Sequence, residues 1–162
     1  MTIAVYPGSF DPITMGHVDI VSRASRLFEK VILAVVKNPN KQSFFTLSER
    51  LEMLKDCTAH LSNVGVETFE GLTVDLARIH QAQVIIRGLR AISDFENEFM
   101  MSQMNKNLDQ QIETVFMMAG LEYQFLSSSA VKEVARLGGN ITNLVPPLVC
   151  KRLQEAQKKR SA

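Results

Sequence analysis

Cysteine is scarce in this chain of 162 residues: only Cys57 and Cys150 occur, far apart and in no Cys-x-x-Cys pair. Neither a disulfide framework nor a zinc site is suggested, and reduced thiols in a cytoplasm fit best. An excess of charge of one sign is missing too, because 18 Lys and Arg stand against 17 Asp and Glu for a net charge of +1. That gives no general attraction to nucleic acid or to an anionic membrane, so any anion must be bound locally. No apolar run is long enough to cross a bilayer, which sets a membrane span aside. Met1 leads directly into a strand-like Thr2–Tyr6, without the basic region and apolar stretch of a signal peptide. The sequence has no GxGxxG or GxxxxGK[ST] fingerprint, which disfavours common dehydrogenases and P-loop enzymes. Internal repeats, low-complexity tracts and long linkers are also missing, and Asn140-Ile141-Thr142 is a chance match to a glycosylation sequon.

Hydrophobic residues are 46% of the chain, enough for a sizeable core, and the length suits one domain over residues 1–162. Short β-branched and apolar runs at Ile3–Tyr6, Val31–Val36, Val64–Phe69, Val84–Ile86 and Thr114–Met118 read as strands buried on both faces. Helical patterns alternate with them. In Val18–Phe28, Ile20, Val21, Ala24, Leu27 and Phe28 form one apolar face. Thr46 with Glu49, and Ser93 with Glu96, have capping-box spacing and place helix starts just before Leu47 and Asp94. Further helices are expected at Val74–Gln81, at Ser129–Leu137 before Gly138-Gly139, and after Pro146-Pro147. Repeated β-α units imply right-handed crossovers: an α/β, Rossmann-like domain with a mainly parallel sheet and helices on both faces. Ligands of such sheets bind at the carboxyl ends of the strands.

The first loop follows a strand and precedes a helix, with Gly8 and Gly16 near its ends and Ser9, Thr14 and His17 as possible donors. Glycine permits close backbone approach, and a helix start favours an anion, so phosphate is expected there. Asp11, before Pro12, reads as a turn former rather than a base. Arg87-Gly88-Leu89-Arg90 reads as leaving the Val84–Ile86 strand at its carboxyl end, where both arginines can reach anions.

The run Tyr6-Pro7-Gly8-Ser9-Phe10-Asp11-Pro12-Ile13-Thr14-Met15-Gly16-His17 resembles the opening of the bacterial phosphopantetheine adenylyltransferases, and Thr-x-Gly-His is the form of the nucleotidylyltransferase superfamily. Asn40-Lys41, Ile86–Arg90, Asp94–Glu98 and Phe125–Lys132 match in the same order, so the resemblance covers nearly the whole chain. It departs from the commonest family spelling at Ser9 for threonine, which keeps the hydroxyl, and at Met15 for asparagine.

The resemblance implies transfer of AMP from ATP to 4'-phosphopantetheine, giving dephospho-coenzyme A and pyrophosphate in coenzyme A biosynthesis. It makes His17 a transition-state stabiliser, with Ser9 and Lys41 at the same centre on the acceptor-phosphate side. It gives the acceptor Arg87 and Thr73 as well. ATP receives Ser9, Phe10, His17, Gly88, Leu89, Arg90 and Glu98, then Tyr123, Gln124, Phe125, Leu126, Ser127, Ser128 and Ser129. Magnesium would accompany ATP, held by phosphates and water without a protein metal site. The resemblance also implies a homohexamer, a dimer of trimers, with coenzyme A as an end product able to bind.

Each residue has a plainer reading. His17 is an ordinary helix-start histidine, Lys41 a solvated charge, Arg87 and Arg90 an ion-pair set with Asp94 and Glu98, and Ser127–Ser129 a helix cap. Met100, Met101, Met104, Met117 and Met118 read as core or subunit-contact residues, and His60 and His80 as surface or packing residues. Two other functions stay open: transfer to a different phosphorylated acceptor such as nicotinate mononucleotide or glycerol phosphate, and non-catalytic sensing of a nucleotide or coenzyme A.

Overall fold

The computed structural model describes residues 2–37, 42–90 and 92–161. Strand and helix alternate as β1 (Ile3–Gly8), α1 (Met15–Leu27), β2 (Lys30–Val36), α2 (Leu47–Thr58), β3 (Val64–Phe69), α3 (Thr73–Ile79), β4 (Val84–Leu89), α4 (Ile92–Leu108) and β5 (Glu113–Met118). A single 3-10 turn at Leu121–Tyr123 leads to α5 (Ser128–Arg136) and α6 (Pro147–Ser161). The five strands are all parallel, in the order β3-β2-β1-β4-β5. Every strand expected from the apolar runs forms, because a two-sided sheet needs segments that are apolar on both pleats.

Each face of the sheet has its own core. Ala4, Tyr6, Leu33, Val35 and Ile86 point to one side and pack with Ile20, Val21 and Ala24 of α1, Met53 and Leu54 of α2, Val131 of α5, and Val149 and Leu153 of α6. Val5, Ile32, Ala34 and Ile85 point to the other and pack with Val74, Leu76 and Ala77 of α3 and with Ile112. Alternation along a strand therefore sends successive residues into separate cores. Two sequence expectations are corrected here. The edge strands β3 and β5 are mostly only half-buried, since each has one neighbour. The segment Arg87–Leu89 does not leave the sheet: it is the second half of β4, in register with Phe116, Met117 and Met118. An arginine and a glycine look like a strand end, but the ladder to β5 continues through their backbone.

Helix starts follow their caps. The Thr46 N–H donates to Glu49 Oε2 at 2.8 Å and the Glu49 N–H to Thr46 Oγ1 at 3.3 Å, the reciprocal pair expected before Leu47. Helix α1 begins earlier than the apolar periodicity suggests, because the His17 ring accepts the Thr14 N–H and extends the helical turn back to Met15. Helix α5 ends at Gly138, whose φ of +78° is left-handed. Among the described residues no helix is long and apolar enough to cross a membrane.

Sheet order places the site. The chain steps from β1 to β2 and β3 on one side, then to β4 and β5 on the other, so the connections diverge beyond the carboxyl ends of β1 and β4. A crevice opens at such a switch point. Strand β1 ends there on Gly8, where a Cβ would come within 2.9 Å of the buried Phe10 ring. Gly8→Ala is expected to destabilise the chain by about 1–3 kcal/mol through overpacking against that ring. A urea midpoint equal to that of the parent would contradict it.

Candidate active site

The crevice is a pocket of about 430 Å³ walled by the loop after β1, the first turn of α1, the end of β4, Glu98 of α4, and Leu126–Ser129 with Lys132. The loop is fixed from several directions. Phe10 has a left-handed φ of +43°, unusual for a side chain of its size, while its ring lies edge-on to Tyr6 at 5.4 Å and to His17 at 5.2 Å. The Ser9 carbonyl accepts from Arg50 NH1 of α2 at 2.7 Å, and the Pro12 carbonyl from Ser128 Oγ of α5 at 2.7 Å.

Asp11 does more than its sequence reading as a turn former allows. Its carboxylate is buried and accepts the Phe44 and Phe45 N–H groups at 2.8 and 2.9 Å and Lys132 Nζ at 3.3 Å. Those donors lie far away in sequence, so this carboxylate joins the first loop to the segment entering α2 and to α5. Its lone pairs are engaged by donors, which disfavours it as a base.

The electrostatics of His17 follow from its bonds. Nδ1 accepts the Thr14 N–H at 3.1 Å, which leaves Nε2 to carry the ring proton of the neutral form. Burial, reinforced by the positive charge of Arg90, lowers its pKa from 6.5 to about 4. His17 is thus a neutral imidazole on the pocket wall near pH 7, able to donate to a phosphoryl oxygen without carrying charge. Beside it Tyr6 is buried, and desolvation pushes its hydroxyl well above the usual range, so it stays protonated.

Across the pocket, Arg87 Nε and NH2 bond both oxygens of Glu98 at 2.6 and 2.7 Å, and its NH1 bonds the Pro7 carbonyl at 3.1 Å. This is the ion pair of the plainer reading, and the Glu98 hydrogen bonds hold the guanidinium above its ordinary pKa. A carboxylate and a phosphate present similar paired oxygens to the arginine fork, so an anion at Arg87 competes with Glu98. Gly88 leaves no room for a side chain: a Cβ there would lie 2.6 Å from Ile20 Cδ1 and 3.2 Å from the Tyr6 hydroxyl. Arg90 NH1 lies 3.5 Å from the Leu126 carbonyl. The Ser127 hydroxyl caps α5 by accepting the Ala130 N–H at 3.0 Å. Asp19 accepts the Gly120 N–H at 3.1 Å and pairs with Arg23, which ties the segment after β5 to α1.

Ser9, Phe10, His17, Arg87, Gly88, Arg90, Glu98, Leu126, Ser127, Ser128 and Ser129 all line the one pocket. Leu89, Tyr123, Gln124, Phe125 and Thr73 are not on its wall. Leu89 is buried, Phe125 is largely exposed, and Tyr123 packs its Cβ 3.5 Å from where a Cβ on Gly16 would lie. Thr73 opens α3, after β3. Lys41 lies outside the described residues. Neither Lys132, which closes the Phe125–Lys132 run, nor Arg50 has a role of its own in the sequence reading. The signal for Arg50 was available: it is one turn before Leu54 on the face of α2 that enters the core, an unlikely place for a solvated charge.

Comparison with known proteins bears on the family and the fold. The model of the cytidylyltransferase-like family matches residues 5–134. The chain is 57% identical over 155 residues to a phosphopantetheine adenylyltransferase of Heliobacterium modesticaldum, covering 96% of this chain and 92% of that one. It is 57% identical over 159 residues to the enzyme of the same name from Carboxydothermus hydrogenoformans, covering 98% of both. A relative of that name from Nostoc punctiforme is 59% identical over 145 residues, with 90% and 79% covered. Among solved structures, a putative nicotinate-nucleotide adenylyltransferase from Vibrio parahaemolyticus superposes with a TM-score of 0.72 at 18% identity, covering 100% of this chain and 98% of that one. At that identity the likeness speaks for the fold alone.

The His17 environment gives a pH prediction. In ¹⁵N spectra of histidine-labelled protein, the His17 ring should remain the neutral Nε2–H tautomer from pH 8 to pH 5 and protonate near pH 4. Between the folded value of about 4 and the ordinary 6.5, the unfolded chain binds a proton that the folded chain refuses. This group therefore lowers stability as pH falls from 6.5 towards 4. A titration midpoint at the ordinary histidine value would contradict the assigned environment.

Proposed function

This chain belongs to the cytidylyltransferase-like family and, within it, to the phosphopantetheine adenylyltransferases, and from that premise we propose how its pocket performs the transfer. The enzyme moves AMP from ATP to 4'-phosphopantetheine, giving dephospho-coenzyme A and pyrophosphate, a step of coenzyme A biosynthesis. An oxygen of the acceptor phosphate attacks the α-phosphorus, and the bond from that phosphorus to the β-bridging oxygen breaks, so pyrophosphate leaves with the electron pair. The attacking oxygen is already anionic, so no general base is required. Positioning and charge stabilisation carry the rate.

The observation that carries this assignment is the convergence of Ser9, His17, Arg87, Arg90 and Ser127–Ser129 on one pocket whose carboxylates, Asp11 and Glu98, are each engaged by a cation. His17 donates from Nε2 to the α-phosphoryl oxygens. Arg90 and the α5 start serve the triphosphate, with Phe10, Gly88, Leu89 and the Tyr123–Leu126 segment completing the nucleotide side. Arg87 and Ser9 serve the acceptor, and Ser9 serves the nucleotide as well. Lys41 and Thr73 are assigned to the acceptor by resemblance alone. Glu98 holds the nucleotide once an acceptor phosphate has taken its place on Arg87.

Magnesium fits as a companion of ATP held by phosphate oxygens and water, since neither pocket carboxylate is free of an arginine or lysine partner. When bound it supplies neutralisation of the pyrophosphate charge. Coenzyme A, which retains the pantetheine arm, is proposed to occupy the same pocket as an end product. Reduced Cys57 and Cys150 suit a cytoplasmic location.

A homohexamer, a dimer of trimers, is proposed on the resemblance and is supported by α4. Phe95, Phe99, Met100, Met101, Met104 and Leu108 all lie exposed on that helix, and such a concentration of apolar side chains suits a contact between subunits.

Pyrophosphate release with ATP and magnesium tests the function. Phosphopantetheine should be adenylylated, while pantetheine without its phosphate should be inert even in excess, because it lacks both the attacking oxygen and the partner of the acceptor cations. Comparable rates with the two acceptors would refute the phosphate nucleophile. Light scattering across working concentrations should give a mass of six chains, and a monomer would defeat the assembly.

A further inference from the structure

We propose that Arg50 is a positioning residue for the transfer, a buried guanidinium that pins the Ser9 carbonyl and sets an uncompensated positive charge behind the acceptor-phosphate side of the pocket. The inference rests on the reading of Ser9 as an acceptor contact given above.

Arg50 is only 5% exposed, in the interior face of α2. A buried arginine is ordinarily neutralised by a carboxylate and has its donors filled. Here NH1 donates to the Ser9 carbonyl at 2.7 Å, while Nε is buried with no hydrogen-bond partner. Among the described residues no carboxylate forms an ion pair with it. A neutral apolar side chain would fill this core position at lower cost, since desolvating an ion without a counter-charge is unfavourable. The charge has a use if an anion completes it. Ser9 stands between Arg50 and the pocket, with its own side chain exposed and on the pocket wall.

The contact also acts on geometry. The pinned carbonyl belongs to the peptide linking Ser9 to Phe10, whose φ of +43° must be held by its surroundings. Fixing that peptide fixes the backbone from which the Ser9 hydroxyl projects. Ser9 is assigned to both substrates, but the nucleotide has further anchors in Arg90, Leu126 and the start of α5, whereas Arg87 is the acceptor's other anchor on the pocket wall. The effect should therefore fall on the acceptor.

The test removes the cation and then restores it. Arg50→Gln has no charge and its amide ends where Nε stands, short of the Ser9 carbonyl, whereas Arg50→Lys keeps a charge on a donor that ends one bond nearer that carbonyl. Initial rates of pyrophosphate release, with each substrate varied in turn, should show KM for phosphopantetheine raised roughly tenfold or more in Arg50→Gln, with KM for ATP within about twofold of the parent. Arg50→Lys should recover most of that loss. An unchanged acceptor KM in Arg50→Gln, an equal rise for both substrates, or no recovery in Arg50→Lys would overturn the proposal. If Arg50→Gln does not fold, the parent enzyme labelled with ¹⁵N-arginine decides. The Arg50 Nε resonance should move on titration with phosphopantetheine and stay in place with pantetheine, and a resonance indifferent to the phosphate would overturn the proposal. A parent enzyme that releases no pyrophosphate would defeat the function itself, whereas normal parent turnover with indifferent Arg50 variants would defeat only this inference.

Discussion

The buried carboxylate of Asp11 is the contact on which the pocket depends. It draws two backbone N–H groups from the segment before α2 and the ammonium of Lys132 from α5, so three stretches of chain meet at one side chain. Hydrogen bonds to a charged group contribute about 1.5–3 kcal/mol each, and a carboxylate desolvated without them is strongly disfavoured. The parallel sheet makes an open switch point at the ends of β1 and β4, but sheet geometry alone leaves the loops above it unconstrained. Asp11, with Arg50 on the Ser9 carbonyl and Ser128 on the Pro12 carbonyl, turns that opening into a walled pocket.

Within this frame the ionisable groups have distinct charge states. Arg87 is held flat by both oxygens of Glu98 and by the Pro7 carbonyl, so its fork is already oriented for a phosphate with similar spacing. Glu98 therefore stands in for the anion geometrically while opposing it electrostatically. His17 lies at the opposite extreme, half-buried on the pocket wall, where desolvation and the charge of Arg90 keep it neutral. Its backbone bond to Thr14 selects the tautomer and also starts α1, so the helix cap and the proposed phosphoryl donor are the same ring.

Much of this could be read from the sequence because the signals were local. The apolar runs located all five strands, and the Thr46–Glu49 spacing fixed the start of α2, since periodicity and capping depend only on near neighbours. The loop at Gly8–His17 lies at a strand-to-helix junction and Ser127–Ser129 at a helix start, as their local signals indicate. What escaped notice depends on residues distant in sequence. The partners of Asp11 at Phe44, Phe45 and Lys132 follow from the tertiary fold, and no local rule distinguishes such a carboxylate from a turn former. The same holds for Arg87 and Gly88, which look like a strand end until β5 is seen to continue alongside them. Arg50 was legible in part, as a charge on an apolar helix face, but its contact with Ser9 was not.

A neutral His17 is better suited to this chemistry than a charged one would be. An imidazolium would bind the phosphates of ATP strongly before reaction as well as during it, and interactions equal in ground and transition states do not raise kcat. It would also stand beside Arg90, whose charge already penalises protonation. A neutral Nε2–H held in place by the Thr14 backbone costs little reorganisation and strengthens its bond as negative charge builds on the oxygens around the α-phosphorus. In the proposed mechanism the arginines and lysines supply the attraction that gathers anions into the pocket, and the histidine supplies the interaction that grows along the reaction. Burial that keeps the imidazole neutral therefore separates binding from catalysis within one cluster of side chains.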